Sequence, residues 1–218
     1  MKKIKFHSER TELDLLKPMP TSRFMPEWYR KMPGVEDGIE TVKKCIPVLD
    51  ALTSGYIIPL SFDAVWDDKN KIFITQTEDK VNSDHNAVQT KFVEIADGFD
   101  PQPHKWINHW FVKTPKGYST LFVHPLNRDD LPFKSFTGIV DTDKHPMPVN
   151  FPFVLKEGFT GIIPAGTPMI QAIPFKRDKW TSEIIDTGES YYYPHSADNM
   201  DPPFSWYKRK FWNKKIFN

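Results

Sequence analysis

A single cysteine, Cys45, stands among 218 residues, so no internal disulfide can form and a covalently stapled framework is excluded. Long apolar runs are missing as well. No window approaches the roughly 20 apolar residues that a membrane-crossing helix requires. Net charge is nearly absent, +1 from 29 basic and 28 acidic residues, which leaves no global field to draw in nucleic acid or a membrane surface. Gly-rich phosphate loops, paired cysteine motifs, nucleophile elbows, internal repeats and low-complexity segments do not occur. The opening Met1–His7 is basic but meets Ser8-Glu9-Arg10 before any apolar stretch, unlike a secretory signal. A soluble, cytoplasmic protein is the expectation.

What the chain does have is aromatic residues, 14%, and 20 prolines, enough ring surface for a core and too many helix breakers for a bundle. Residues 1–45 contain Pro18, Pro20, Pro26 and Pro33 and read as an irregular arm docked on the main domain, with one helical turn near Met25–Met32 that puts Trp28 and Met32 on one face. From 46 the texture changes. Ile46–Leu52 predicts a short helix and Gly55–Leu60 a strand; Trp66 and Lys71–Gln76 flank the hairpin turn Asp67-Asp68-Lys69-Asn70. Glu78–Pro103 is polar and irregular. Strands are predicted at Trp106–Val112, Tyr118–Val123, Phe136–Val140, Val149–Leu155, Phe159–Ile163 and Met169–Phe175, separated by turn residues such as Thr114-Pro115-Lys116-Gly117 and Pro164-Ala165-Gly166. Few intervening segments are long enough for crossover helices, so residues 46–180 predict a mainly β barrel or sandwich of short antiparallel strands. Residues 181–218 form an extension, with a basic, aromatic helix over Phe204–Phe217 docking on the body.

Candidate chemistry concentrates at Gly138–Arg177. Asp141 and Asp143, two apart at a predicted strand end, fall on one face, where like charges raise one another's pKa unless a cation or donor intervenes. The competing reading is a pair of turn-capping carboxylates bonded to backbone amides. The histidines His104, His109, His124 and His145 lie on or near neighbouring strands and allow a cupin-like metal centre, although the usual clustered ligand spacing is missing and no metal ligand is assigned. Cys45 has no histidine nearby and reads as a small buried hydrophobe.

Gly138-Ile139-Val140-Asp141-Thr142-Asp143 resembles the third motif of the trimeric dUTPase and dCTP deaminase superfamily, and Ile163-Pro164-Ala165-Gly166-Thr167-Pro168-Met169-Ile170-Gln171 is similar to the fourth. Thr114-Pro115-Lys116-Gly117-Tyr118 resembles the turn before the second. The resemblance implies a β-clip fold, a homotrimer with sites between subunits, Asp141 as general base on a water attacking the α-phosphate, and a magnesium ion on the phosphates. Asp143, Gln171, Tyr118 and Lys144 are the accompanying ligand-binding candidates. The chain departs from the pattern in four ways, one being that the family's glycine-rich, phosphate-covering C-terminal arm has no counterpart in this basic, aromatic tail. Ile57 follows Gly55-Tyr56 where the family has an Asp, no Arg-Ser-Gly occurs in the second motif, and Lys144 replaces the base-stacking aromatic. Over the whole chain, Met25-Pro26-Glu27-Trp28-Tyr29, Lys44–Ala51, Gly55–Leu60 and Thr114–Ser119 look like an uncharacterised family encoded by T4-like marine phages and some bacteria.

The function these readings favour is a phage-type β protein that binds a ligand or partner without a complete catalytic set. Three alternatives stand beside it: a nucleotide-phosphate hydrolase or nucleotide-binding derivative of the dUTPase superfamily, a virion or assembly component, and a cupin-like metalloenzyme.

Overall fold

Aromatic and β-branched residues fill the runs that become strands, and prolines and glycines mark the points between them. The computed structural model describes residues 2–74, 82–84, 87–184 and 203–218. In chain order its strands are β1 (Lys5–His7), β2 (Met19–Pro20), β3 (Val35–Glu36), β4 (Ile39–Glu40), β5 (Tyr56–Pro59), β6 (Ala64–Asp67), β7 (Ile72–Ile74), β8 (Asn82–Asp84), β9 (His104–Trp106), β10 (Phe111–Lys113), β11 (Tyr118–Val123), β12 (Phe133–Ser135), β13 (Gly138–Val140), β14 (Phe151–Leu155), β15 (Gly161–Ile163) and β16 (Pro168–Lys176). The α-helices are α1 (Glu27–Lys31), α2 (Ile46–Thr53), α3 (Ala87–Thr90) and α4 (Pro203–Lys210).

Five strands make the largest sheet, ordered β13-β11-β16-β5-β2. A second sheet runs β12-β14-β9-β8, a third β15-β6-β7, and β1 with β10 and β3 with β4 form two ribbons. Pairing within them is antiparallel. The protein is therefore mainly β, as its sequence predicts, and the sheets among the described residues stay open, so no closed barrel forms.

The core lies where the three larger sheets face one another. Ile58, Phe122 and Ile170 come from the first, Trp106, Phe133 and Phe153 from the second, and Ala64, Trp66 and Ile163 from the third. At its centre the rings of Trp106 and Phe153 stack with centroids 3.7 Å apart and 3° between planes. Burying each of these large side chains stabilises the fold by about 1.5–3 kcal/mol, which is why three thin sheets hold together without a disulfide.

The N-terminal segment is stitched into this body. β1 pairs with β10 through Phe6↔Val112, and β2 pairs with β5 through Met19↔Ile57. The helical turn at α1 is present, but Tyr29 is its buried ring and Trp28 is 37% exposed, so the predicted Trp28–Met32 docking face is replaced by Tyr29. The predicted strand Trp106–Val112 is interrupted. The Asn108 side chain accepts from Trp110 N–H at 2.9 Å and donates to the carbonyls of Trp110 and Val149, closing a turn inside an apolar run. The predicted helix over Phe204–Phe217 ends at Lys210, and Trp212–Asn218 lies along the body as a strap. Of the irregular stretch Glu78–Pro103, β8 pairs with β9; residues 78–81 and 85–86 lie outside the described set, as do Thr75 and Gln76 of the predicted hairpin and 185–202 of the extension.

Two positions fix how β5 crosses β16. Gly55 has φ +71°, and a Cβ there would sit 2.3 Å from the carbonyl oxygen of Ala172, so the crossing requires glycine. Gln171, wholly buried, donates through Nε2 to the carbonyls of Ala51 (3.0 Å) and Ser54 (2.7 Å) and accepts from Leu126 N–H at 2.9 Å. One side chain thus joins α2, β16 and the loop after β11. Gln171→Leu keeps the volume but strips the Leu126 amide and the Ala51 carbonyl of their partner, at about 1–3 kcal/mol each, while the Ser54 carbonyl keeps the Thr21 hydroxyl at 2.9 Å. The expected loss is about 2–4 kcal/mol of unfolding free energy, read as a lowered urea midpoint with unchanged slope.

Candidate functional site

The strand-end acids lie where β13 finishes. β13 pairs with β11 as far as Thr120↔Val140, after which Lys144 and His145 N–H groups bond back to the Asp141 carbonyl and close a turn. Thr142 points inward between the hydroxyls of Thr114 (2.8 Å) and Thr120 (2.7 Å), buried to 1% exposure. That inward threonine throws the flanking acids into different settings. Asp141 keeps a side chain 52% exposed, whereas the Asp143 side chain is 3% exposed.

The expected pair of mutually repelling carboxylates is not what the structure contains, because Arg177 stands against both. Its Nη1 meets Asp143 Oδ1 at 2.9 Å and its Nη2 meets Oδ2 at 2.5 Å, a two-pronged clamp, and Nη1 lies 3.1 Å from Asp141 Oδ1. Gly117 N–H adds a bond to Asp143 Oδ2 at 2.8 Å. The Arg177 guanidinium, and after it the Gly117 amide, hold the Asp143 carboxyl well below the usual carboxylate range. Lys144 is exposed beside this pair and adds a weaker field of the same sign as Arg177. Ser119 Oγ donates to Asp141 Oδ1 at 2.7 Å and accepts from Arg177 Nη1 at 3.0 Å.

Asp143 thereby fixes the Thr114–Gly117 turn, and Tyr118 next to it forms one wall of a cavity of about 160 Å³. Lys2, Lys3, Tyr56 and Phe217 supply other parts of the lining. The Lys2 ammonium stands 4.4 Å from the centre of the Tyr118 ring and bonds its hydroxyl. The arrangement offers cations and ring edges to a ligand, with the acids set behind the wall as supports.

Asp141, Asp143, Lys144 and Tyr118 are thus brought together; Gln171 is not. Along β11 the register places Tyr118 opposite Lys176 and Val123 opposite Gln171, five residues and about 17 Å apart. Gln171 belongs to the α2 junction. The residue that sequence reasoning missed is Arg177: it follows β16 directly and its N–H bonds the Gly117 carbonyl at 2.9 Å, so the β11–β16 register, once formed, delivers it to the acids.

The histidines do not converge. His104 sits among the rings of Trp66, Phe73 and Phe153, and His124 accepts from Ser135 N–H through Nδ1 while Nε2 faces the Arg128 carbonyl, with burial pushing its pKa down. Among the described residues no group of three His, Cys, Asp or Glu side chains is placed to hold a metal ion. The magnesium implied by the dUTPase resemblance does not fit the acids either, since both Asp143 oxygens are committed and the positive charge between the two acids is Arg177. Among the described residues no helix is long and apolar enough to cross a membrane. No protein-family model, no curated protein and no solved structure matches the chain.

The Asp143 clamp has a pH signature. A carboxyl whose folded pKa is depressed contributes stability that is fully present above its unfolded value, near 3.9, and that is lost as pH falls through the folded value. Natural protein should lose stability more steeply than Asp143→Asn as pH is lowered from about 4. Urea unfolding at stepped pH measures the difference; parallel curves for the two proteins would show that Asp143 carries no linked proton.

Proposed function

We propose that the protein is a phage-type binding protein of the host cytoplasm, without an assembled catalytic set, that takes a small anionic ligand bearing a flat ring in the cleft beside Tyr118. Nucleotides are the ligand class. The observation that carries the reading is the lining of that cleft, in which Lys2 and Lys3 stand with Tyr56, Tyr118 and Phe217 around about 160 Å³. Lysines suit phosphate oxygens, rings suit a base, and the Arg177–Asp143 clamp pre-organises the wall that Tyr118 belongs to.

A nucleotide-phosphate hydrolase on a trimeric β-clip scaffold is the second reading, and one observation favours it. Asp141 is held on Oδ1 by Ser119 and Arg177 while its side chain stays half exposed, so a water could be oriented at the outer oxygen.

A thermal-shift series with nucleoside mono- and triphosphates and pyrophosphate tests the binding reading. At a hundredfold excess over the dissociation constant, stabilisation of about 2.7 kcal/mol should raise the melting temperature by about 5–10 °C. The shift should disappear in Tyr118→Ala and in Lys2→Ala/Lys3→Ala. No shift with any of these compounds removes the reading. For the hydrolase, turnover of nucleoside triphosphates with and without divalent cations is compared between natural protein and Asp141→Ala; turnover that survives the substitution discards it.

A further inference from the structure

We infer that the groove between α2 and β5 recognises a short extended peptide carrying an aromatic residue and, three positions later, a lysine, and that the chain's own strap, Trp212–Asn218, occupies it in cis. This goes beyond the small-ligand reading and rests on a different carboxylate, Asp50, although the two sites adjoin and share Tyr56, Ile216 and Phe217.

The strap is held mainly by one side chain. Asp50, on α2, receives Trp212 Nε1–H at 3.1 and 3.0 Å on its two oxygens and the Lys215 ammonium at 2.7 Å. Its side chain is only 15% exposed, so the indole bonds form partly out of water, where they count for more, whereas the Lys215 side chain remains 44% exposed. Further along, the Phe217 ring meets Tyr56 edge-on at 5.9 Å and 85°, and the Asn218 carbonyl accepts from the Tyr56 hydroxyl at 3.2 Å. Indole, ammonium and phenyl are therefore each matched by a feature of the groove.

The fit along the apolar part is incomplete. A cavity of about 370 Å³ opens between the strap and α2, lined by Leu49, Thr53 and Ser22, and the cleft of about 160 Å³ opens on the other side. Ile216 and Phe217 border both, yet Ile216 is 67% exposed. Protein interiors are close-packed, whereas this strap lies at the surface with apolar volume open beside it, so little apolar burial holds it in place. This strap satisfies the charge of the groove and leaves apolar volume open, which describes an exchangeable occupant. A partner peptide with the same aromatic and lysine but a larger apolar residue at the position of Ile216 gains burial that the strap does not. An acidic peptide is rejected, because its carboxylates would face Asp50.

Tethering gives the strap a high effective concentration, so an outside peptide competes at a disadvantage that should vanish when the anchors are removed. The test uses full-length chains and a fluorescein-labelled peptide of the sequence of residues 211–218. Trp212→Ala/Phe217→Ala should bind it roughly ten-fold or more tighter than natural protein in fluorescence anisotropy. Asp50→Asn in that background should abolish binding, as should alanine at the peptide's tryptophan. Equal affinity for the two chains, or no binding by a double variant that still melts cooperatively, overturns the inference. Should the double variant fail to fold, hydrogen exchange on the natural chain decides. Excess unlabelled peptide should speed exchange of residues 212–218, and unchanged exchange overturns the inference.

Discussion

The antiparallel pairing of β11 with β16 is the constraint from which the other arrangements follow. Six register pairs, from Tyr118↔Lys176 to Val123↔Gln171, carry two unrelated jobs at opposite ends of one ladder. At one end Gln171 is delivered to the end of α2 and to the Leu126 amide; at the other Arg177 is delivered to Gly117, Asp143 and Asp141. A slip by one residue would turn both side chains to the wrong face at once. Such a slip would drive Gln171 into the apolar core and set Ile170 and Ala172 against the Ala51 and Ser54 carbonyls, so hydrophobic packing enforces the register on which the polar contacts depend.

Electrostatics in the strand-end cluster is local and nearly self-contained. Two carboxylates and one guanidinium share a few ångströms, and the buried acid is the one that receives the two-pronged contact. Because its partner is a fixed, always-charged group, Asp143 is suited to holding a turn and poorly suited to exchanging protons near neutrality. Asp141, with solvent on one side, is the member of the pair with chemical freedom. The division of labour follows from Thr142, whose burial between two threonine hydroxyls rotates its neighbours apart.

Much of the fold was legible because it is written in local chemistry. Tyr118–Val123 predicts β11 residue for residue, and Asp67–Asn70 predicts the hairpin between β6 and β7, since alternation and turn residues act over a few positions. What escaped notice depends on distant partners. β1 has no signal of its own and exists through β10; Asn108 breaks an apolar run only because Val149 and Asn150 receive it; the C-terminal helix gives way to a strap where Asp50 offers Trp212 and Lys215 a better arrangement. The candidate site divides the same way. Its acids, Lys144 and Tyr118 stand out in the sequence, while Arg177 and Lys2 acquire meaning only once the sheet is assembled, and Gln171 looks like a site residue but is a structural clasp.

The crossing at Gly55 bears on how this architecture could diverge. Surface acids such as Asp141 can drift with function, since solvent tolerates many replacements there. The residue facing the Ala172 carbonyl has no such latitude, because the obstacle is main chain and cannot be repacked by compensating changes elsewhere. Distant descendants with altered chemistry would thus keep their pedigree in a single hydrogen atom where every other amino acid carries a carbon.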